Sequence, residues 1–100
     1  MDFTIEKNKI YYTKDNQELA YILLDYTPDN LVVFEKVFVD PQLRGQGVAS
    51  KIMQFAADYF KEKNTKVVPM CSYANSWYLK HEDYLSGAKM PEDGPCCKLN

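Results

Sequence analysis

A chain of 100 residues with a formal net charge of −2 is long enough for one modest hydrophobic core and lacks the basic excess typical of nucleic-acid-binding surfaces. Hydrophobic residues make up 46% and charged residues 26%, which argues against a disordered chain. No apolar run approaches the roughly 18 residues of a membrane span, and the first residues lack the pattern of a signal peptide. We expect a single cytoplasmic domain over residues 1–100, with no nucleic-acid or membrane partner.

The first half of the chain predicts an antiparallel meander. Its segments are rich in β-branched and aromatic residues and are separated by turn formers. The predicted strands span residues 3–7, 10–13, 19–26 and 31–39, with turns at 8–9, 15–17 and 27–30. Hairpin connections of this length place consecutive strands side by side.

The second half predicts two helices around a short strand. Apolar residues recur at three- and four-residue spacing from about residue 47 to 63, which predicts an amphipathic helix with Asn64 as C-cap. A strand over 66–70 should pair in parallel with the fourth strand. A second helix over 73–81 would have Ser72 as N-cap, and residues 86–100 should form a flexible tail. The order β-β-β-β-α-β-α predicts an α+β fold with a mixed, mostly antiparallel sheet.

A glycine-containing turn joins the fourth strand to the first helix. Asp40-Pro41 ends the strand, and Arg44-Gly45-Gln46-Gly47-Val48-Ala49 opens the helix. The first N–H groups of a helix lack intrahelical partners and carry partial positive charge, so this turn suits a phosphate or pyrophosphate. The alternative is an ordinary β–α turn that needs glycine only for its backbone angles.

Two motifs carry a resemblance to a known family. Arg44-x-x-Gly47-x-Ala49 resembles the Gln/Arg-x-x-Gly-x-Gly/Ala loop of the GNAT N-acetyltransferases, which cradles the pyrophosphate of acetyl-coenzyme A (acetyl-CoA). Pro69-Met-Cys71-Ser-Tyr73-Ala74 resembles the Pro-x-Cys-x-Tyr/Phe-Ala pattern of small, stand-alone members. The resemblance implies the GNAT fold core and acetyl-CoA as co-substrate. The cofactor-binding residues that it implies are Val37, Phe38, Val39, Arg44, Gly45, Gln46, Gly47, Val48, Ala49, Ser50 and Asn75.

Three residues are candidates for catalysis. Cys71 lies where a strand passes into a helix, a position that favours a reactive thiolate, so it could be a nucleophile, line the site or be an inert buried residue. Tyr78 falls where larger GNAT enzymes carry a tyrosine that protonates the leaving thiolate, and core packing is its alternative. Glu35 is the candidate general base, on the same strand face as Val37 and Val39, and an outward-facing charge is the alternative.

Few other residues suggest chemistry. Three cysteines, two of them the adjacent Cys96 and Cys97, argue against a disulfide framework. His81 is the only histidine, so we expect no metal site.

The favoured interpretation is an acetyl-CoA-dependent N-acetyltransferase that transfers the acetyl group to a primary amine, in a small molecule or a protein, whose identity the sequence leaves open. One alternative is a module that binds coenzyme A or an acyl-CoA without turnover. Another is a small thiol-redox or interaction protein. The sequence does not indicate the oligomeric state.

Overall fold

The computed structural model describes residues 2–43 and 45–89. Arg44 and the Cys96-Cys97 segment of the predicted tail therefore lie outside the described residues. The elements are β1 (Thr4–Glu6), β2 (Lys9–Lys14), β3 (Gln17–Tyr26), β4 (Leu31–Val39), α1 (Val48–Glu62), β5 (Lys66–Pro69) and α2 (Ser72–Lys80), with 3₁₀ segments at Pro41–Leu43 and Glu82–Gly87. The predicted order of strands and helices and the α+β class are confirmed.

The five strands form one sheet in the order β1-β2-β3-β4-β5, in which only the β4–β5 pair is parallel. Glu6 pairs with Lys9, so the first turn is Lys7-Asn8, one residue earlier than predicted. Asp15 and Asn16 form the second turn with φ of 53° and 65°. Two positive φ values match the twist of adjacent antiparallel strands, which explains a tight connection there.

The core lies between one face of the sheet and both helices, which share a single cluster of buried side chains. α1 contributes Val48, Ile52, Met53, Ala56, Ala57 and Phe60 to it. α2 contributes Ala74, Trp77 and Tyr78. This packing holds the beginning of α1 against the end of β4. Neither helix of the described chain has the length and apolar character that crossing a membrane requires.

The helix ends differ from their predicted positions. α1 ends at Glu62 with Lys63 as C-cap, and Asn64 follows it in a left-handed conformation, with φ of 57°. α2 begins at Ser72, and the extended residue before it, with φ of −71° and ψ of 136°, is Cys71. The prediction of Ser72 as N-cap was therefore wrong, since α2 begins one residue earlier than predicted; β5 also ends one residue earlier, at Pro69.

Residues 86–89 are more regular than predicted. Ser86 and Gly87 belong to the 3₁₀ segment Glu82–Gly87, and Ala88 forms a parallel bridge with Val67. The backbone N–H of Lys89 donates to the Val67 carbonyl at 2.7 Å. The turn-forming composition of this segment did not reveal that its backbone pairs with the free edge of β5.

Candidate active site

The sheet opens between β4 and β5. Their pairing covers Leu31 to Phe34 on β4 and stops at Pro69 on β5. The Cys71 N–H still donates to the Phe34 carbonyl at 3.2 Å, after which α2 leads the chain away. β4 continues to Val39, so its last residues extend past the end of β5. This separation creates a cleft next to the glycine turn.

The turn after β4 is built from local hydrogen bonds. The Asp40 carboxylate accepts the backbone N–H of Gln42 at 3.0 Å, and the Asp40 carbonyl accepts that of Leu43 at 2.9 Å. Gly45 and Gly47 follow with φ of 84° and 72°. A side chain in this left-handed region costs roughly 1–2 kcal/mol, which explains why glycine occupies both positions. A β-carbon at either glycine would have no neighbouring atom within 4 Å, so the backbone here borders open space.

The beginning of α1 faces this space. At the start of the helix, the Lys51 N–H donates to the Gly47 carbonyl at 3.0 Å. The N–H groups of Val48, Ala49 and Ser50 precede that bond and lack carbonyls of the same helix to which they could donate. Gly47, the N-cap, has no side chain that could cap them. Together with the positive end of the helix dipole, these groups favour an anion.

The cleft has a volume of about 410 Å³. It is bounded by the end of β4, the glycine turn, the first turn of α1 and one residue of α2. The lining residues are Val37, Phe38, Val39, Leu43, Gly45, Gly47, Val48, Ala49, Ser50 and Tyr73. Among the described residues this lining is mostly apolar, and its polar side chains are those of Ser50 and Tyr73. An apolar cleft with an anion-binding end suits a long ligand that is charged at one end.

The structure brings most of the predicted cofactor-binding residues together in this lining. Among the described residues Gln46 and Asn75 are the exceptions, and Arg44 lies outside the described residues. The Gln46 side chain is exposed and donates from Nε2 to the Gln42 carbonyl at 3.2 Å, which stabilises the turn. Asn75 lies on α2 outside the lining, with its backbone N–H on the Cys71 carbonyl at 2.9 Å. The binding roles of all these residues stay predictions.

Two lining residues were missing from the sequence-based set. Leu43 lies in the 3₁₀ segment Pro41–Leu43, which the hydrophobic periodicity of the sequence did not predict. Tyr73 is the second residue of α2 and is half-buried, and burial raises the pKa of its hydroxyl. The Pro-x-Cys-x-Tyr/Phe-Ala motif contains this tyrosine and is the sequence signal that indicates it.

Cys71 lies near the opening of the sheet, but it is buried below the surface of the protein. Only 1% of the residue is exposed, and the cleft lining does not include it. It packs within the shared core cluster at the start of α2. A covalent role would require the thiol to become accessible, so the structure favours the alternative of an inert buried residue.

Glu35 does not lie on the face that the alternation of β4 predicted. Leu23 pairs with Lys36 and Leu24 pairs with Phe34, so β4 has a bulge here in which Glu35 is the extra residue. The extra residue shifts the side-chain alternation, so the buried series runs Val32, Phe34, Val37. Glu35 is exposed and outside the cleft lining. Its predicted placement on the face of Val37 and Val39 was wrong.

Tyr78 lies in the core, not in the cleft. The residue is 1% exposed, and its ring meets the Trp77 ring edge-on at 5.3 Å. Burial raises the pKa of its hydroxyl well above the usual range, and Tyr84 and Asp58 add to the rise. These neighbours place the hydroxyl on the side of α2 that faces α1 and the Glu82–Gly87 segment. The geometry therefore supports packing, the alternative reading of this residue.

The raised pKa of Tyr78 predicts a loss of stability in alkali. Below pH 10 the tyrosine is protonated in both the folded and the unfolded chain, so it adds no pH dependence. Above pH 10 the unfolded chain loses this proton while the folded chain retains it, so the free energy of unfolding falls by up to about 1.4 kcal/mol per pH unit. Urea unfolding from pH 8 to 11 measures this slope. Tyr78→Phe should flatten it, and an unchanged slope would show that the hydroxyl ionises in the folded protein.

Comparisons with known proteins agree with this architecture. The family model of the GCN5-related N-acetyltransferases matches residues 9–87. A GCN5-like candidate N-acetyltransferase from Staphylococcus aureus, solved by NMR, is 26% identical, and the match covers 91% of this chain and 90% of that chain with a TM-score of 0.74. A candidate GNAT-family acetyltransferase from the same species is 24% identical and has a TM-score of 0.52. That match covers 62% of this chain and 55% of the other chain, and it shows a similarity of fold alone. No curated protein matches the chain.

The chain is an α+β protein whose sheet opens beside a glycine turn at the start of a helix. It belongs to the GCN5-related N-acetyltransferase (GNAT) family.

Proposed function

We propose that this protein is an acetyl-CoA-dependent N-acetyltransferase that acetylates a primary amine. The observation that carries the proposal is the cleft itself, because it joins an anion-binding helix start to an apolar wall along β4. Acetyl-CoA has the matching shape, with a pyrophosphate separated from its thioester by the pantetheine arm. Membership of the family supports the same ligand.

The pyrophosphate would lie at the N-terminus of α1, against the backbone between Gly45 and Ser50. The left-handed glycines leave this backbone bare, so phosphate oxygens can approach the N–H groups directly. The pantetheine arm would run over the apolar residues Val37 to Val39, where β4 extends past β5. We expect this arrangement to bring the thioester near Tyr73, which lines the same cleft.

The chemistry would be a direct transfer. The lone pair of the neutral amine attacks the thioester carbonyl carbon, the carbon–sulfur bond breaks, and the coenzyme leaves as a thiolate. The amine nitrogen gives up one proton to water and the thiolate gains one. We assign that second proton to the Tyr73 hydroxyl, because Tyr73 lines the cleft whereas Tyr78 and Cys71 are buried and lie outside its lining.

Calorimetric titration with acetyl-CoA tests the proposal, together with release of free coenzyme A in the presence of an amine panel (a polyamine, an amino sugar, an amino acid and a lysine peptide). We expect a Kd of roughly 1–100 μM, or about −5.5 to −8 kcal/mol, and coenzyme release with at least one amine. No binding would overturn the proposal. Binding without turnover of any amine would instead support the alternative of a module that holds the coenzyme.

A further inference from the structure

One hydrogen bond links the core of the protein to the cleft. Trp77 on α2 donates from Nε1 to the Oγ of Ser50 at 3.1 Å, across 27 residues of sequence. Ser50 belongs to the first turn of α1 and lines the cleft, whereas Trp77 is 4% exposed and lies outside the lining. The bond therefore connects a buried ring with a polar side chain of the cleft lining.

The indole of Trp77 is held from several sides. The His81 ring stacks on it at a centroid distance of 3.9 Å and an angle of 13°. His81 Nδ1 also lies 2.7 Å from the Trp77 carbonyl, which anchors the imidazole to the same residue. Tyr84 packs against the indole at 5.4 Å. A ring enclosed in this way keeps its N–H pointed in one direction.

This N–H constrains the Ser50 hydroxyl. An indole nitrogen can only donate, so Ser50 Oγ must accept, and its single proton has to point elsewhere. A serine in a helix can give that proton to the carbonyl four residues earlier or to a group outside the helix. An anion at the start of α1 is the stronger acceptor, since hydrogen bonds to charged groups are roughly twice as strong as neutral ones.

We propose that Trp77 is a positioning residue for the coenzyme: its indole N–H holds the Ser50 hydroxyl so that the hydroxyl proton is donated to the phosphate group at the N-terminus of α1. This inference rests on the proposed function, because it assumes that acetyl-CoA occupies the cleft. Trp77 touches neither the coenzyme nor the acceptor amine. It acts only through Ser50, so α2 contributes to coenzyme binding from within the core.

A double-mutant cycle tests the inference. Ser50→Ala removes the donor, and Trp77→Phe keeps an aromatic ring for the stack with His81 but deletes the N–H. We expect Ser50→Ala to weaken acetyl-CoA binding about tenfold, as for loss of a hydrogen bond to a charged group. Trp77→Phe should weaken it about threefold. The double variant should bind like Ser50→Ala alone, because Trp77 acts through the hydroxyl that is already missing.

Two further measurements separate positioning from a general structural role. In steady-state kinetics, Trp77→Phe should raise KM for acetyl-CoA and leave kcat unchanged. In the free protein, the chain's one tryptophan gives a single indole N–H resonance, which should shift and exchange faster with solvent in Ser50→Ala.

The outcomes distinguish this inference from the proposed function. If the wild-type protein binds acetyl-CoA but the two substitutions are additive, or Trp77→Phe binds normally, the inference is overturned and the proposed function stands. An indole resonance unaffected by Ser50→Ala would also overturn it. If the wild-type protein does not bind acetyl-CoA, the proposed function fails and the inference fails with it.

Discussion

Gly47→Glu should weaken acetyl-CoA binding by at least about 100-fold, and Gly47→Gln by about tenfold. A β-carbon at residue 47 would meet no atom within 4 Å, so either side chain would enter the open space of the cleft. Both variants force a side chain into the left-handed region at φ of 72° and share that cost, roughly 1–2 kcal/mol. They differ only in the carboxylate, which would lie beside the pyrophosphate. Two like charges about 4 Å apart near a protein surface repel by up to ~4 kcal/mol, enough for the further loss.

Calorimetric titration of the two variants beside the wild-type protein measures the difference. Their melting temperatures should agree within a few degrees, because the glutamate and the glutamine have the same shape and the same backbone strain. If the two variants bind equally, no anion lies at the start of α1. The glycines would then serve only the backbone angles of the turn, which is the alternative reading of the motif.

The second prediction concerns the proton donor. Tyr73→Phe should lower kcat about 10- to 100-fold with little change in KM for acetyl-CoA, because it removes the only tyrosine hydroxyl among the described lining residues. General acid catalysis typically raises a reaction rate 10²- to 10⁴-fold. We expect the lower end of that range here, because a thiolate is a good leaving group. Tyr78→Phe is the matched control on the same helix and should leave kcat within about twofold. Steady-state kinetics with saturating amine measures both.

The pH dependence gives the same assignment a second test. Burial raises the pKa of Tyr73 above its usual value of 10, so its hydroxyl stays protonated throughout the neutral range. An acid must carry its proton to act, so kcat should show no falling limb between pH 7 and 9. A large loss of kcat in Tyr78→Phe, with Tyr73→Phe near wild type, would contradict the assignment and restore Tyr78 as the acid.

Local patterns predicted the elements of the fold well. The spacing of Val48, Ile52, Ala56 and Phe60 repeats with the period of a helix, and these side chains do form the buried face of α1. The glycine turn was also visible, since Gly45 and Gly47 precede an amphipathic helix and both adopt positive φ. Such features depend on residues that are neighbours along the chain. The sequence can therefore show them without knowledge of the remaining fold.

The errors arose where the position of a residue depends on distant partners. Glu35 does not lie on its expected face because β4 carries an extra residue opposite Leu23 and Leu24. The alternation of residues within one strand cannot predict such a bulge, because a bulge depends on the register with the partner strand. Tyr73 and Tyr78 lie five residues apart on a short helix with similar chemistry. Only the packing of α2 against α1 and the sheet places one in the cleft and the other in the core.

The sequence by itself determined the order of the strands and helices, the α+β class and the glycine turn that opens α1, because periodicity and turn chemistry are properties of adjacent residues. Only the tertiary structure showed that Leu43 and Tyr73 also line the cleft and that Cys71 and Tyr78 do not. The separation of β4 and β5 after Phe34 and the bond from Trp77 to Ser50 depend on segments that are far apart in sequence and meet only in the folded core.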